Sequence, residues 1–153
     1  MIGGWQFFEK GLFVAISSIA YMLKLEIVTP ERKVLDAEVE SVTVPTASGE
    51  AGILSSHAPL ISALKPGIVT VANKGISDRY VVSSGFVEVS HNRVSVLTDV
   101  AESSDEIDVE RARTEKGELE KGIAEMSASA IEETEFLREK LELANARITL
   151  AKS

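Results

Sequence analysis

The sequence contains no cysteine, which excludes disulfides, thiol chemistry and thiolate metal sites. Aromatic residues make up only 5% of its 153 residues, so a core must be built from valine, isoleucine, leucine and alanine. Hydrophobic residues at 44% and charged residues at 26% still form a composition typical of a globular protein. The length predicts one domain, or a domain with an appendage.

Basic residues are also scarce, and the formal net charge is −8. Nucleic-acid binding needs clustered lysine and arginine, so this charge argues against a nucleic-acid partner. The acidic excess is uneven, because residues 101–153 hold 8 basic and 14 acidic side chains, against 7 and 9 in residues 22–100. Most of the excess negative charge therefore lies in the last third, which predicts two parts with different chemistry.

Residues 1–21, MIGGWQFFEKGLFVAISSIAY, form an apolar N-terminal extension unlike the rest of the chain. The uncharged stretch Gly11–Leu23 is too short to span a membrane, which takes about 18 apolar residues or more. It resembles a signal-peptide core, with Lys10 before it and Ser18–Ala20 as a cleavage site. Three interpretations stay open: an over-long start with Met22 as the first residue, a signal or membrane-surface segment, and extra folded structure.

Residues 22–103 have the pattern of a β domain. Leu23, Leu25 and Ile27 alternate with polar residues, the period of a half-buried strand. Further strand-sized pieces are separated by turn residues such as those of Asn73–Gly75 and Ser83–Gly85. Many short strands with frequent turns predict a β-sandwich or barrel.

Residues 104–153 have the pattern of a helical hairpin, in which apolar residues recur at steps of three and four in two runs separated by Ser127–Ser129. Each apolar stripe needs a partner, so an antiparallel two-helix hairpin is predicted. Gly117 and Gly122 in the first helix cost about 1 kcal/mol each relative to alanine, which predicts marginal stability. The predicted stripe comprises Val109, Ala112, Leu119, Ile123 and Met126, then Leu137, Leu141, Ala144, Ile148 and Ala151.

Catalytic patterns are weak. Ser55, Ser56 and His57 are adjacent, but neighbours in an extended chain point to opposite faces. The sequence has no nucleophile elbow, phosphate loop or dinucleotide fingerprint. A metal site would depend on His57 and His91, and His91 lies in a predicted hairpin turn. The sequence therefore predicts a non-catalytic protein with no metal site.

The stretch GEAGILSSHAPLISALKPG, residues 49–67, is the most distinctive part of the chain. Its glycines at 49 and 52 allow close backbone approach, and Pro59 favours an extended residue before it. Two interpretations stay open: His57 caps a constrained loop of the sandwich, or a stiff loop presents His57 to a partner protein. Five aliphatic side chains of this stretch are predicted to lie in the core: Ile53, Leu54, Leu60, Ile61 and Leu64.

These residues resemble the epsilon subunit family of F-type ATP synthase. The similarity runs from MLKLEIVTPERKVLDAEVESVTVPTASGEAGILSSHAPLISALKPG through SGFVEVSHNRVSVLTDVAE to IDVERA, and covers Met22 to Ser153. The motif G-x-x-G-[IV]-L-x-x-H-x-P-L is its specific part. The family fold, an N-terminal β-sandwich followed by a two-helix hairpin, agrees with the prediction made from periodicity.

The resemblance implies a non-catalytic rotor subunit of the central stalk in a proton-translocating F-type ATP synthase. It implies the gamma subunit and the ring of c subunits as partners, and contacts with the alpha and beta subunits through a hairpin that blocks ATP hydrolysis. Such a subunit lies peripherally on the cytoplasmic face of the inner (plasma) membrane. The implied partner interface comprises Gly49, Glu50, Gly52, His57, Pro59 and Leu60.

Some members of this family bind a regulatory ATP in the folded hairpin. Leu143 stands here where a second arginine is expected, and Glu118 occupies another basic position of that motif. Helix capping and packing are the alternative roles for the residues that match. The resemblance implies that six residues of this chain would bind the nucleotide: Glu102, Ile107, Asp108, Arg111, Ala112 and Arg147.

A second function from a different class is an exported β-sandwich binding module with a helical tail. This alternative takes residues 1–21 as a secretion signal, whereas the rotor subunit does not need them.

Overall fold

The computed structural model describes residues 22–153, and the interpretations of residues 1–21 lie outside the described residues. Ten strands come first and two helices follow. The strands are β1 (Leu23–Val28), β2 (Lys33–Val39), β3 (Ser41–Thr46), β4 (Gly49–Leu54), β5 (Leu60–Leu64), β6 (Gly67–Asn73), β7 (Ile76–Val82), β8 (Gly85–Ser90), β9 (Arg93–Thr98) and β10 (Ala101–Ser103).

The two helices are α1 (Val109–Glu125) and α2 (Ile131–Ala151), preceded by a short 3₁₀ helix at Ser104–Glu106. Helix α1 begins where Asp108 accepts a hydrogen bond from the backbone N–H of Arg111 at 3.1 Å, which satisfies one of the free donors of the first turn. The helices pack against each other as a hairpin. The predicted fold class, a β-sandwich or barrel followed by two C-terminal helices, is confirmed.

The strands form one continuous sheet that curls around a core. Its order is β10-β7-β6-β3-β5-β8-β9-β1-β2, and β4 pairs with β3 beside this path. Strand neighbours pair antiparallel with one exception in the described chain, since β1 and β9 are parallel, with Leu25 opposite Val94. This parallel pair inserts the first strand between β2 and β9.

The sandwich core follows from strict alternation along the strands. In β1, Leu23, Leu25 and Ile27 are buried while Lys24 and Glu26 lie on the outer face. Valine dominates the interior, as the low aromatic content predicts. Side chains buried completely include Leu25, Ile27, Val42, Val44, Ile53, Val69, Val87 and Val96.

The hairpin packs on the sandwich through a second apolar contact, which is separate from the sandwich core and smaller. Val81 on β7 is fully buried against Ala146 and Leu150 of α2. Met126 and Ala151, predicted as members of the apolar stripe, are instead exposed, because α1 ends at Glu125 and Ala151 is the last residue of α2. The partly buried residues around this contact are Ile68, Ile107 and Leu143.

Candidate functional site

The glycine-rich part of the predicted partner interface forms β4. Gly49, Glu50 and Gly52 lie on this strand, which pairs only with β3 within residues 22–153. Gly49 has a φ of +116°, a conformation that residues with a Cβ rarely adopt. Its carbonyl oxygen accepts a hydrogen bond from the hydroxyl of Thr46 at 2.6 Å. These three residues therefore lie along an exposed edge of the sheet.

His57 lies in the loop between β4 and β5 and is half-buried. Its Nδ1 donates a hydrogen bond to the carbonyl oxygen of Ala58 at 2.7 Å. Its backbone N–H donates to the carbonyl oxygen of Leu54 at 3.2 Å. Pro59 is exposed and Leu60 is half-buried at the start of β5. The ring is therefore held by its own loop, which fixes the orientation in which it meets solvent.

The same loop is fastened to the turn between β8 and β9. The backbone N–H of Ser56 donates to Oδ1 of Asn92 at 2.6 Å, and the carbonyl oxygen of Asn92 accepts from the N–H of Lys24 at 2.9 Å. Ser56, His91 and Asn92 all have φ between +51° and +64°, as tight turns require. Two segments predicted separately as loop and turn thus meet at one end of the sandwich.

An exposed apolar row crosses the outer face of four neighbouring strands, β5, β8, β9 and β1. Cross-strand register places Ala63 opposite Phe86, Phe86 opposite Leu97, and Leu97 opposite Val28. Ile61 lies two residues before Ala63 and therefore faces the same side. Ile61 is 75% exposed, Phe86 59% and Leu97 46%. We call these five residues the apolar row.

A groove adjoins this row, with a volume of about 700 Å³. Pro30, from the turn between β1 and β2, lines one part, and Glu139 of α2 lines another. Exposed large aliphatic and aromatic side chains that adjoin a groove are the usual features of a protein-binding surface.

Two of the predicted core positions, Leu54 and Ile61, are wrong, and Ile61 belongs to the apolar row. Leu54 is 63% exposed and Ile61 is 75% exposed, whereas Ile53 and Leu64, on the same two strands, are buried. Alternation within a strand sends adjacent residues to opposite faces, so a pair of consecutive aliphatics cannot share the core. The sequence signal for the row is an apolar residue at a strand position whose side chain, by alternation, points away from the core.

A second candidate site is a pocket of about 360 Å³ between the hairpin and β10, here called the hairpin pocket. It brings together five of the six residues predicted to bind a nucleotide. The sixth, Ile107, packs against the contact around Val81 instead. The lining residues are Glu102, Glu106, Asp108, Arg111, Ala112, Glu115, Lys140, Leu143 and Arg147.

Arg147 is the most constrained charge in the hairpin pocket. Its Nε and Nη2 donate to the two carboxylate oxygens of Glu102 at 2.9 and 2.7 Å, a bidentate pair. Its Nη1 lies 3.6 Å from a carboxylate oxygen of Glu115. The hydrogen bonds with Glu102 raise the pKa of Arg147, and burial opposes them. The side chain is 19% exposed and fully charged.

The remaining predicted nucleotide residues have structural roles in this pocket. Asp108 caps α1, and Ala112 is buried beneath the helix pair. Leu143, at the position where the motif expects an arginine, presents an aliphatic side chain to the pocket. The nucleotide site stays a prediction, and the capping and packing interpretation accounts for these contacts without a ligand.

Across residues 22–153 no three histidine, aspartate or glutamate side chains are grouped so that they could hold a metal ion. None of the helices described there combines the length and apolar character needed to cross a membrane.

Fold and surface together define a class: a β-sandwich carrying a helical hairpin, with exposed apolar and polar surfaces suited to binding. The sequence model of the family described as ATP synthase, Delta/Epsilon chain, beta-sandwich domain matches residues 22–104. The chain belongs to the ATP synthase delta/epsilon family.

Individual relatives agree with this assignment. The ATP synthase epsilon chain of Desulforamulus reducens is 48% identical over 97 residues, 63% of this chain and 74% of that protein. The epsilon chain of Desulfitobacterium hafniense strain Y51 is 38% identical over 129 residues, which cover 84% of this chain and 96% of that protein. A chain of the Euglena gracilis mitochondrial ATP synthase, solved with OSCP, F1 and the c-ring, superposes with a TM-score of 0.73 at 26% identity, covering 88% of this chain and 82% of that one.

Proposed function

We propose that this chain, a non-catalytic ATP synthase subunit, turns with the central stalk and couples rotation of the c-ring to ATP synthesis. Epsilon chains are its relatives along most of its length, and a similar fold occurs in an assembly that contains F1 and the c-ring. Family membership favours this function over an exported binding module.

The observation that carries the proposal is the apolar row. Phe86 and Leu97 expose large apolar side chains on adjacent strands, and Ile61 extends the same surface. Burial of this area in an interface would gain roughly 25 cal/mol per Å² of apolar surface removed from water. We assign this surface to the gamma subunit, whose shaft the sandwich would grip.

The second part of the interface is the end of the sandwich formed by β4 and the His57 loop. Glu50 and Pro59 are exposed there, and the bond between Ser56 and Asn92 stiffens the loop. A stiff loop loses little conformational entropy on binding. We propose that the six predicted residues, Gly49, Glu50, Gly52, His57, Pro59 and Leu60, meet gamma and the polar loops of the c-ring.

The third part concerns the hairpin, which we treat as a unit (residues 104–153) that can leave the sandwich (residues 22–103). Its apolar contact with the sandwich is centred on Val81, Ala146 and Leu150. A small contact suits an element with two packings that differ by a few kcal/mol. In its released form the hairpin would reach the alpha and beta subunits and restrain ATP hydrolysis.

Position in the cell follows from these partners. A subunit seated between the c-ring and the catalytic head lies peripherally at the membrane, and we place it on the cytoplasmic face of the inner (plasma) membrane.

The gamma interface is tested by co-purification of the tagged full-length chain with the other ATP synthase subunits. Phe86→Glu places a charge in the apolar row, and we expect at least about a tenfold loss of recovered gamma, equal to roughly 1.4 kcal/mol. Ile76→Glu is the matched control, because Ile76 is 65% exposed on β7, outside the row. Equal recovery of gamma with both variants, at unchanged melting temperature, would remove the row from the interface.

The role of the hairpin is tested by truncation after Ser103, which keeps β10 paired with β7. We expect the shortened chain to assemble and the complex to hydrolyse ATP faster than the complex with the full chain. Unchanged hydrolysis would show that the hairpin has no inhibitory role.

A further inference from the structure

Few polar contacts join the hairpin and the short 3₁₀ helix before it to the sandwich. Arg147 of α2 binds Glu102 of β10, and Arg32 in the turn after β1 binds Glu106 of the 3₁₀ helix. Arg79 of β7 donates to the hydroxyl of Ser153, and the hydroxyl of Ser84 donates to a carboxylate oxygen of Glu139 on α2 at 3.4 Å. Only the first of these is mostly shielded from water, with 19% and 24% of its two side chains exposed. Exposed pairs contribute little, so the first contact is the one that can decide the position of the hairpin.

Arg147 also links three elements with one side chain. It lies on α2, it forms a bidentate pair with Glu102 on β10, and its remaining nitrogen faces Glu115 on α1. Release of the hairpin from the sandwich separates Arg147 from Glu102 while leaving Glu115 beside it. The pair between Arg147 and Glu102 therefore distinguishes the docked hairpin from the released one.

The hairpin pocket carries its own carboxylates beside its cations, so its positive charges need no added anion. Glu106 and Asp108 line it beside Glu102 and Glu115, and Arg111, Lys140 and Arg147 are its three cations. Four carboxylates thus outnumber three cations. A phosphate group entering the pocket would have to displace Glu102 from Arg147 while facing the remaining carboxylates, which like-charge repulsion opposes.

We propose that Arg147 and Glu102 form an internal electrostatic latch that holds the hairpin on the sandwich with no bound nucleotide. The proposal rests on the movable hairpin of the proposed function. Removing Arg147 leaves Glu102 without its partner in a half-buried place, and removing Glu102 leaves Arg147 with only the longer contact to Glu115 at 3.6 Å. Either loss costs more than loss of an exposed pair. High salt screens a half-buried pair less than an exposed one, so it weakens the latch without abolishing it.

The chain offers a direct measurement, because it has no cysteine to compete with introduced labels. Spin labels on Ser77→Cys of β7 and Asn145→Cys of α2, both exposed positions, report the distance between sandwich and hairpin. Pulsed electron paramagnetic resonance then gives the ratio of released to docked molecules. We expect the labelled but otherwise unchanged chain to be mainly docked at low salt without ATP, with the released fraction rising as salt increases.

Variants of the labelled chain test the two residues. We expect Arg147→Gln and Glu102→Gln each to raise the released-to-docked ratio at least about tenfold, the scale of one charge-assisted hydrogen bond. The double variant should release no more than the stronger single variant, because both changes remove one interaction. Arg138→Gln is the matched control, since Arg138 lies on the same helix but pairs with exposed Glu135. The melting temperature of the sandwich verifies folding of each variant.

Three results would overturn the latch. One is release equal to that of Arg138→Gln in both single variants, and another is additive release in the double variant. The third is a labelled chain that docks only after ATP is added, which would make the nucleotide the holding element. Failure of the latch leaves co-purification with gamma intact, so it is distinguishable from failure of the proposed function.

Discussion

The sandwich and the hairpin of this chain differ in how many buried residues hold each of them together. Sixteen buried residues form one continuous core inside the sandwich. Helix α1 buries only Ala112, and α2 buries four residues, two of which lie in the contact with Val81. Because stability follows buried apolar area, we expect the sandwich to hold its shape without the hairpin, and the hairpin to depend on its contact with the sandwich.

Electrostatics separates the same two regions. Ion pairs within the hairpin, such as Arg113 with Glu110 and Arg138 with Glu135, join neighbours on the surface of a single helix and are largely exposed. Such pairs contribute a few tenths of a kcal/mol. The pair of Arg147 with Glu102 instead crosses between the regions. If the proposed latch holds, the charges of the hairpin control its position on the sandwich more than its helicity.

The largest effect is expected from Ile27→Ala, which should destabilise the whole sandwich by about 2–5 kcal/mol. Ile27 is completely buried in β1, and truncation leaves a cavity among closely packed aliphatics. Urea unfolding monitored by circular dichroism measures the free energy of unfolding. Leu137→Ala, at a half-buried position of α2, is the comparison and should leave the sandwich transition in place. Similar losses in the sandwich transition would mean that the two regions share one cooperative unit.

Gly85→Ala should come next, destabilising the sandwich by about 1–3 kcal/mol. A Cβ at this position would overlap the backbone carbonyl of Leu97 across the β8–β9 pair, and backbone cannot move aside cheaply. Gly52→Ala is the control, since no atom lies within 4 Å of its added Cβ. Thermal melting of both variants makes the comparison, and a harmless Gly85→Ala would contradict the close packing of these strands.

Gly117→Ala should act in the opposite direction and on the other region, stabilising α1 by about 1 kcal/mol. The added methyl group meets nothing within 4 Å in the middle of the helix. Hydrogen exchange measured segment by segment should slow in α1 and remain unchanged in the sandwich strands. Faster exchange in α1 would show that the glycine has a packing role.

The smallest effect is a pH dependence at the 3₁₀ helix that joins the regions. The backbone N–H of Ser103, and then Arg32, lower the pKa of the Glu106 carboxyl below its ordinary value of 4.5. Its stabilisation is therefore complete above pH 4.5 and is lost as the pH falls through the lower pKa of the folded state. The difference in melting temperature between the natural chain and Glu106→Gln should shrink as acidity rises through that range. A constant difference would contradict the shift.

Local structure was predictable because local physics determines it. Alternation identified β1, and Ser127–Ser129 fell between the helices. The predictions for Leu54 and Ile61 are wrong because alternation along the strand, rather than hydrophobicity, decides which face a side chain takes.

Contacts between distant segments could not be predicted from pattern. Nothing in the spacing of Ser56 and Asn92 indicates their hydrogen bond, nor does any period connect Glu102 with Arg147, 45 positions later. The resemblance implied six residues of one site, five of which line the hairpin pocket, yet it did not indicate that Glu102 neutralises Arg147. Such pairings depend on how the whole chain closes, which propensity and periodicity do not encode.

The parallel pairing of β1 with β9 constrains how the nascent chain folds during translation. Leu25 meets Val94 only after almost seventy further residues have left the ribosome. Until then β1 can pair only with β2, and its other edge is open to non-native strand pairing. The sandwich therefore cannot be complete until β9 and β10 have been synthesised, when only the hairpin remains to be made.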